Sequence, residues 1–104
     1  MMLILRDDQV IEIFDSPSSL PNWIEPIDIE NEEYLFCDDK GQRYLGVVAQ
    51  RGNWRQTAKI DLQPIGVPDR LNAVSLVDLA LQIETNERFQ DLPSLRQYLI
   101  SNNQ

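Results

Sequence analysis

The stretch Gln42–Leu62, QRYLGVVAQRGNWRQTAKIDL, decides how this chain folds. Two runs rich in β-branched and aromatic residues flank Gly52-Asn53, a pair suited to the primed turn of a two-residue hairpin. With that turn, Leu45 stands opposite Ile60, Val47 opposite Ala58 and Ala49 opposite Gln56. One face then collects Leu45, Val47, Ala49, Ala58, Ile60 and Leu62. The other collects Tyr44, Val48, Gln50, Arg55, Thr57, Lys59 and Asp61. Segregation of this kind specifies register, because a slip by one residue moves every side chain to the other face.

Upstream, Glu33 to Cys37 reads as a strand joined to the hairpin by a four-residue turn, Asp38–Gly41, whose glycine can adopt positive φ. Tyr34 and Phe36 then join the core face. Leu35 and Cys37 fall beside Tyr44 on the second face, which is covered by a helix or open to a partner. Residues 2–6 and 9–14 form a further hairpin around Asp7-Asp8. Leu20, Trp23, Ile24 and Ile27 recur at helical spacing, so a short helix is expected near 19–25, stopped by Pro26.

Downstream, Pro64, Gly66 and Pro68 punctuate a loop over 64–72. Ser75 and Asp78 resemble a capping box and open a helix at 75–85. Asp91 caps a second helix, with Pro93 in its first turn and Leu92, Leu95, Tyr98 and Leu99 on its inner face. The expected fold is a single α+β domain spanning 1–104. It has a mainly antiparallel sheet of about five strands, a short helix near 19–25 and two C-terminal helices packed on the sheet.

Composition narrows function. The chain has 104 residues, 17 Asp and Glu, 9 Lys and Arg, no histidine and one cysteine. That length fits one domain with one modest core. Without histidine there is no imidazole acid–base chemistry, and a lone Cys37 forms no disulfide framework or multi-cysteine zinc site. Cys37 reads as a small apolar filler. The glycines are isolated, so no phosphate-binding loop is present. The opening residues lack a signal-peptide pattern and no apolar run reaches membrane-spanning length. A cytoplasmic location is therefore expected, with no membrane association.

The net charge of −8 is unevenly placed. Residues 1–39 carry 11 acids and one base, residues 40–59 five bases and no acid, and residues 60–104 six acids and three bases. The paired carboxylates Asp7-Asp8, Glu32-Glu33 and Asp38-Asp39 sit at expected turns, and neighbours in a strand point to opposite faces. No metal site, cofactor or catalytic residue is therefore expected.

The expected function is protein–protein interaction, as a regulatory, inhibitor- or immunity-like protein. Its surface is the acidic run Asp28, Glu30, Glu32, Glu33, Asp38 and Asp39, with electrostatic complementarity guiding association. One alternative is a nucleic-acid-binding module using the basic hairpin 43–59 through Arg51, Arg55 and Lys59, with Tyr44 and Trp54 for stacking. The acidic balance of the chain disfavours it. Another is an enzyme working with carboxylates alone. The stretch Trp23–Asp28, with Glu33-Tyr34 and Asp39-Lys40-Gly41, is similar to small bacterial domains, and this resemblance implies no chemistry.

Overall fold

A computed structural model describes residues 1–21, 24–50, 52, 59–84 and 88–101. Six strands and three helices follow in the order β1 (Met2–Leu5), β2 (Val10–Phe14), α1 (Pro26–Glu30), β3 (Leu35–Asp38), β4 (Arg43–Gln50), β5 (Lys59–Ile65), α2 (Arg70–Leu79), β6 (Gln82–Ile83) and α3 (Leu92–Ser101). This is the expected α+β class, with one strand more than anticipated. The sheet order is β5-β4-β3-β1-β2-β6, antiparallel throughout except that β6 runs parallel to β2.

The first strand explains the layering. Met2, Leu3, Ile4 and Leu5 are all buried, because β1 lies between β2 and β3 and is covered on both faces. Alternation sends Leu3 and Leu5 to one face, with Ile11, Cys37, α2, α3 and Phe89. It sends Met2 and Ile4 to the other, with Phe14, Ile24, Phe36 and Ile29 of α1. Two cores therefore flank one sheet. An unbroken apolar run is what a strand buried on both sides requires.

Proline starts α1 rather than ending a helix before it. The expected helix near 19–25 is not formed: residues 19–21, 24 and 25 are not helical, and 22–23 lie outside the described residues. Pro26 forces Glu25 into extended geometry (φ −100°, ψ 149°), and its own missing N–H is harmless in a first turn. The same logic moves α2. The helix runs over Arg70–Leu79, not 75–85, because Asp69 caps it by accepting from the Leu71 N–H at 2.9 Å. Ser75 is then an exposed mid-helix residue. Beyond Ala80 the chain extends. The Leu81 N–H donates to the Gln9 carbonyl at 2.8 Å and the Glu84 N–H to Ile11 at 2.8 Å, so pairing with β2 replaces the last expected helical turn. The third helix matches its expected cap: the Ser94 N–H donates to Asp91 Oδ1 at 2.8 Å.

Both hairpin registers differ from expectation. The β3–β4 loop has three residues, not four. Asp38 N–H donates to the Gln42 carbonyl at 2.9 Å, and Gly41 takes φ +87°, the left-handed residue such a loop needs. Phe36 therefore faces Tyr44, and Cys37 faces Arg43. On the other side, Leu45 pairs with Gln63, Val47 with Asp61 and Val48 with Ile60, three residues away from the expected register. An odd shift exchanges faces. Tyr44 and Val48 thus pack with Phe36, Ile60 and Leu62, whereas Leu45 and Ala49 are exposed. Packing of α1 accounts for this choice. A Cβ at Gly46 would meet Ile29 Cγ2 at 3.0 Å, so the bare glycine lets the helix close on the even-numbered face of β4. The segment 64–72, read as a loop, supplies the end of β5 and the start of α2. Pro64 is tolerated because β5 is an edge strand. The proposed turn residue Asn53 lies outside the described residues.

Gly41 joins the turn to α2. Its carbonyl accepts from the Asp69 N–H at 3.2 Å and from Asn72 Nδ2 at 3.0 Å. A Cβ there would lie 1.9 Å from the Asp69 carbonyl oxygen. Gly41→Ala combines that clash with a left-handed backbone, so we expect a loss of at least about 2 kcal/mol, measured by urea unfolding.

Candidate functional site

The acidic run divides into groups with different surroundings. Asp28 accepts a hydrogen bond from the Tyr34 hydroxyl at 3.2 Å. Burial, followed by Asp28, pushes the Tyr34 hydroxyl up to about 12. The Glu33 carboxyl is pushed above its ordinary value, first by sharing a hydrogen bond with Asp28, then by burial, then by the charges of Asp28 and Asp7. Asp7, Asp28 and Glu33 therefore gather, although Asp7 comes from the β1–β2 turn. Glu30 and Glu32 are exposed, with Glu32 at φ +54°.

Asp38 and Asp39 serve the fold. Asp38 Oδ1 accepts from the Lys40 and Gln42 N–H groups, each at 2.9 Å, and its other oxygen lies 3.5 Å from the Tyr44 hydroxyl. Asp39 accepts from the Tyr98 hydroxyl at 3.1 Å and pairs with the Met1 amino group at 3.5 Å. Both line a shallow pocket of about 190 Å³ with Asp15, Ser16, Lys40 and Tyr44. Their oxygens are already engaged there. Among the described residues, no group of three or more His, Cys, Asp or Glu could hold a metal ion.

Of the basic candidates, Arg51 and Arg55 lie outside the described residues, as does Trp54. Lys59 is exposed at the start of the edge strand β5. Lys40, Arg43 and Lys59 form no ion pair among the described residues. Among the described residues, the cations of this segment therefore do not neutralise the acidic first third. That neutralisation comes partly from Arg6, which pairs with Asp8, Glu12 and Glu84 and ties the β1–β2 hairpin to the chain after β6.

Two adjoining cavities flank the β3–β4 pairing. On the α2 side is a cavity of about 180 Å³ lined by Leu35, Cys37, Arg43, Ser75, Leu76 and Leu79. A second, of about 220 Å³, is lined by Ile29, Glu32, Tyr34, Leu45, Gly46 and Ile65. Leu35, Phe36, Arg43 and Tyr44 border both. Leu35 is 42% exposed, Leu45 43% and Leu79 54%, so apolar side chains rim the opening. Cys37 at its floor is buried. Burial, followed by Asp38, pushes its thiol up to about 12, which leaves it almost wholly protonated at neutral pH. Its structural role agrees with the reading of the sequence.

The sequence singled out charge and missed this apolar opening. The available signal was the pair Leu35 and Cys37 on a second, partly apolar face. The structure resolves the alternatives there: α2 covers Cys37 and leaves Leu35 half open. Comparison with protein-family models, curated proteins and solved structures finds no match for this chain.

The crowded carboxylates give a pH signature. A carboxyl raised in the folded state favours folding while it is protonated and loses that contribution as pH rises through its folded value. Glu33→Gln removes one charge from the group beside Asp28 and Asp7. We expect a higher melting temperature than the parent near pH 7 and no difference near about pH 3, measured by calorimetry. An unchanged melting temperature near neutrality would show that the repulsion carries no weight.

Proposed function

We propose that this chain is a regulatory binding domain that recognises another protein, and that the opening between β3 and β4 is its contact surface. The observation that carries this reading is the set of exposed Leu35, Leu45, Ile65 and Leu79 around two adjoining cavities, with Arg43 at their common border. Contiguous apolar surface with a charged rim is the usual make-up of a protein-binding patch.

Charge supports the same class. The excess of acid, with Asp7, Asp28 and Glu33 left crowded together, gives the chain a field that accelerates encounter with a basic partner. An inhibitor- or immunity-like protein that covers a cationic site is one form of such a binder. Catalysis by carboxylates is the weaker reading, since Asp38 and Asp39 are occupied by the turn, Tyr98 and the Met1 amino group. Nucleic-acid binding gains no support from Lys59 alone.

Replacing Leu35 and Leu45 by Glu tests the reading. Both side chains are more than one-third exposed, so the double variant is expected to keep its circular dichroism spectrum and to melt within about 3 °C of the parent. Immobilised parent protein should retain a partner from source-cell extract that the folded double variant does not. Equal retention by both, or retention by neither, would count against this surface.

A further inference from the structure

On the α2 side, the cover of the sheet thins beyond β3. Helix α2 packs on β1 and β3, and α3 packs on α2. Cys37 of β3 faces Arg43, so the same side of the sheet continues outward as Arg43, Leu45 and Val47 of β4. Their partners Ile65, Gln63 and Asp61 of β5 share that side, as does Lys59. Val47 is half-buried and the others are exposed. Beside them, α2 carries a second stripe. Leu71, Ser75 and Leu79, spaced four apart, are exposed, whereas Ala73, Val74, Leu76 and Val77 are buried. Ser75 and Leu79 line the cavity that Arg43 borders, which places this stripe next to β4.

The result is a trough with two strands as its floor and α2 as one wall. Two strands span about 10 Å, the diameter of one α-helix with its side chains. The floor offers side chains and no backbone groups, because the peptide groups of β4 and β5 lie in the plane of the sheet and pair across the ladder. An occupant must therefore satisfy its own backbone, as a helix does and a lone extended segment does not. Charge alternates along the trough. Arg43 stands at one end and Lys59 at the other, with Asp61 opposite Val47 between them. All three are exposed and form no ion pair among the described residues. From Arg43 to Gln50, the partner of Lys59, the strand rises about 23 Å, the length of about 15 helical residues.

We infer that this trough binds one amphipathic helix of a partner protein, about 15 residues long, whose apolar stripe runs between acidic residues near its two ends. The inference rests on the protein-binding reading above and specifies the partner's chemistry. Acidic ends complement Arg43 and Lys59, and a basic or hydroxyl side chain in mid-helix complements Asp61. The crowded acids do not oppose such a helix from this side, since Asp28 belongs to α1, which packs on the other face of the sheet. The α2 helix of a second copy is a poorer occupant. It has ten residues, and its acids are already engaged, Asp69 by the Leu71 N–H and Asp78 by Arg96.

The probe is a phage-displayed library of helical peptides of about 18 residues, randomised on one face and selected against the full-length chain. Enriched sequences should place apolar residues at i, i+3, i+4 and i+7, with Asp or Glu near both ends. A synthesised selected peptide should gain helical circular dichroism on binding. Methyl resonances of Leu45, Val47, Ile65 and Leu79 should shift, while that of Ile27, exposed on α1, stays in place. Arg43→Glu should melt with the parent, because Arg43 is exposed, and should weaken binding by about tenfold. Exchanging the facing acid of the peptide for Lys should restore most of that loss. Failure to enrich any sequence overturns the inference. So do peptides that bind without gaining helix, that shift Ile27 instead, or that bind Arg43→Glu unchanged. A dimer of the free chain in sedimentation, dissociated by Leu71→Glu, would make a second copy the occupant and equally overturn it. If the Leu35 and Leu45 variant still loses its cellular partner in any of these cases, the protein-binding reading stands and helix recognition alone fails.

Discussion

The fold depends on burying a single four-residue strand from both sides. Met2 and Ile4 cannot share a face with Leu3 and Leu5, so β1 demands two separate apolar layers. A chain of this length has little apolar surface to divide between them. One layer receives two ten-residue helices. The other receives a five-residue helix and the non-helical segment before it. The sheet is well covered near β1 and progressively less so toward β4 and β5. The half-exposed leucines at the β3–β4 opening lie where cover runs out.

A single small contact aligns the two halves of that arrangement. Gly41 lies at the tip of the β3–β4 loop and at the start of α2, and its carbonyl is held by the backbone of Asp69 and the side chain of Asn72. The turn that sets the β4 register is thereby coupled to the helix that roofs the opening. Asp38 reinforces the turn from within by accepting two backbone N–H groups. Conformation, capping and the position of the opening are thus linked through a few neighbouring residues.

Much of the architecture was legible in the sequence, for reasons that can be traced to particular residues. The continuous apolar run of β1, the Asp7-Asp8 turn and the Asp91 cap are local signals, and each produced its element. Errors arose where a local signal had two physical readings. Pro26 can end a helix or begin one, and the capping of Arg70 by Asp69 outweighed a plausible capping box at Ser75. The expected hairpin register maximises face segregation within two strands. It could not account for α1, which settles on Gly46 and selects the opposite face of β4. The strand β6 arises from distant hydrogen bonds to Gln9 and Ile11, which no local pattern encodes. The candidate site was harder still. Acidic residues are conspicuous in a sequence, whereas an opening between strands is visible only once registers are known.

Pro64 has one more consequence. It occupies the outermost strand of the sheet, beside the exposed charges of Lys59 and Asp61. At the opposite end, β6 contributes only two residues. Both ends of the sheet are therefore poor templates, one through a missing N–H and fixed charge and the other through brevity. Such a sheet resists edge-to-edge growth into fibrils at either end.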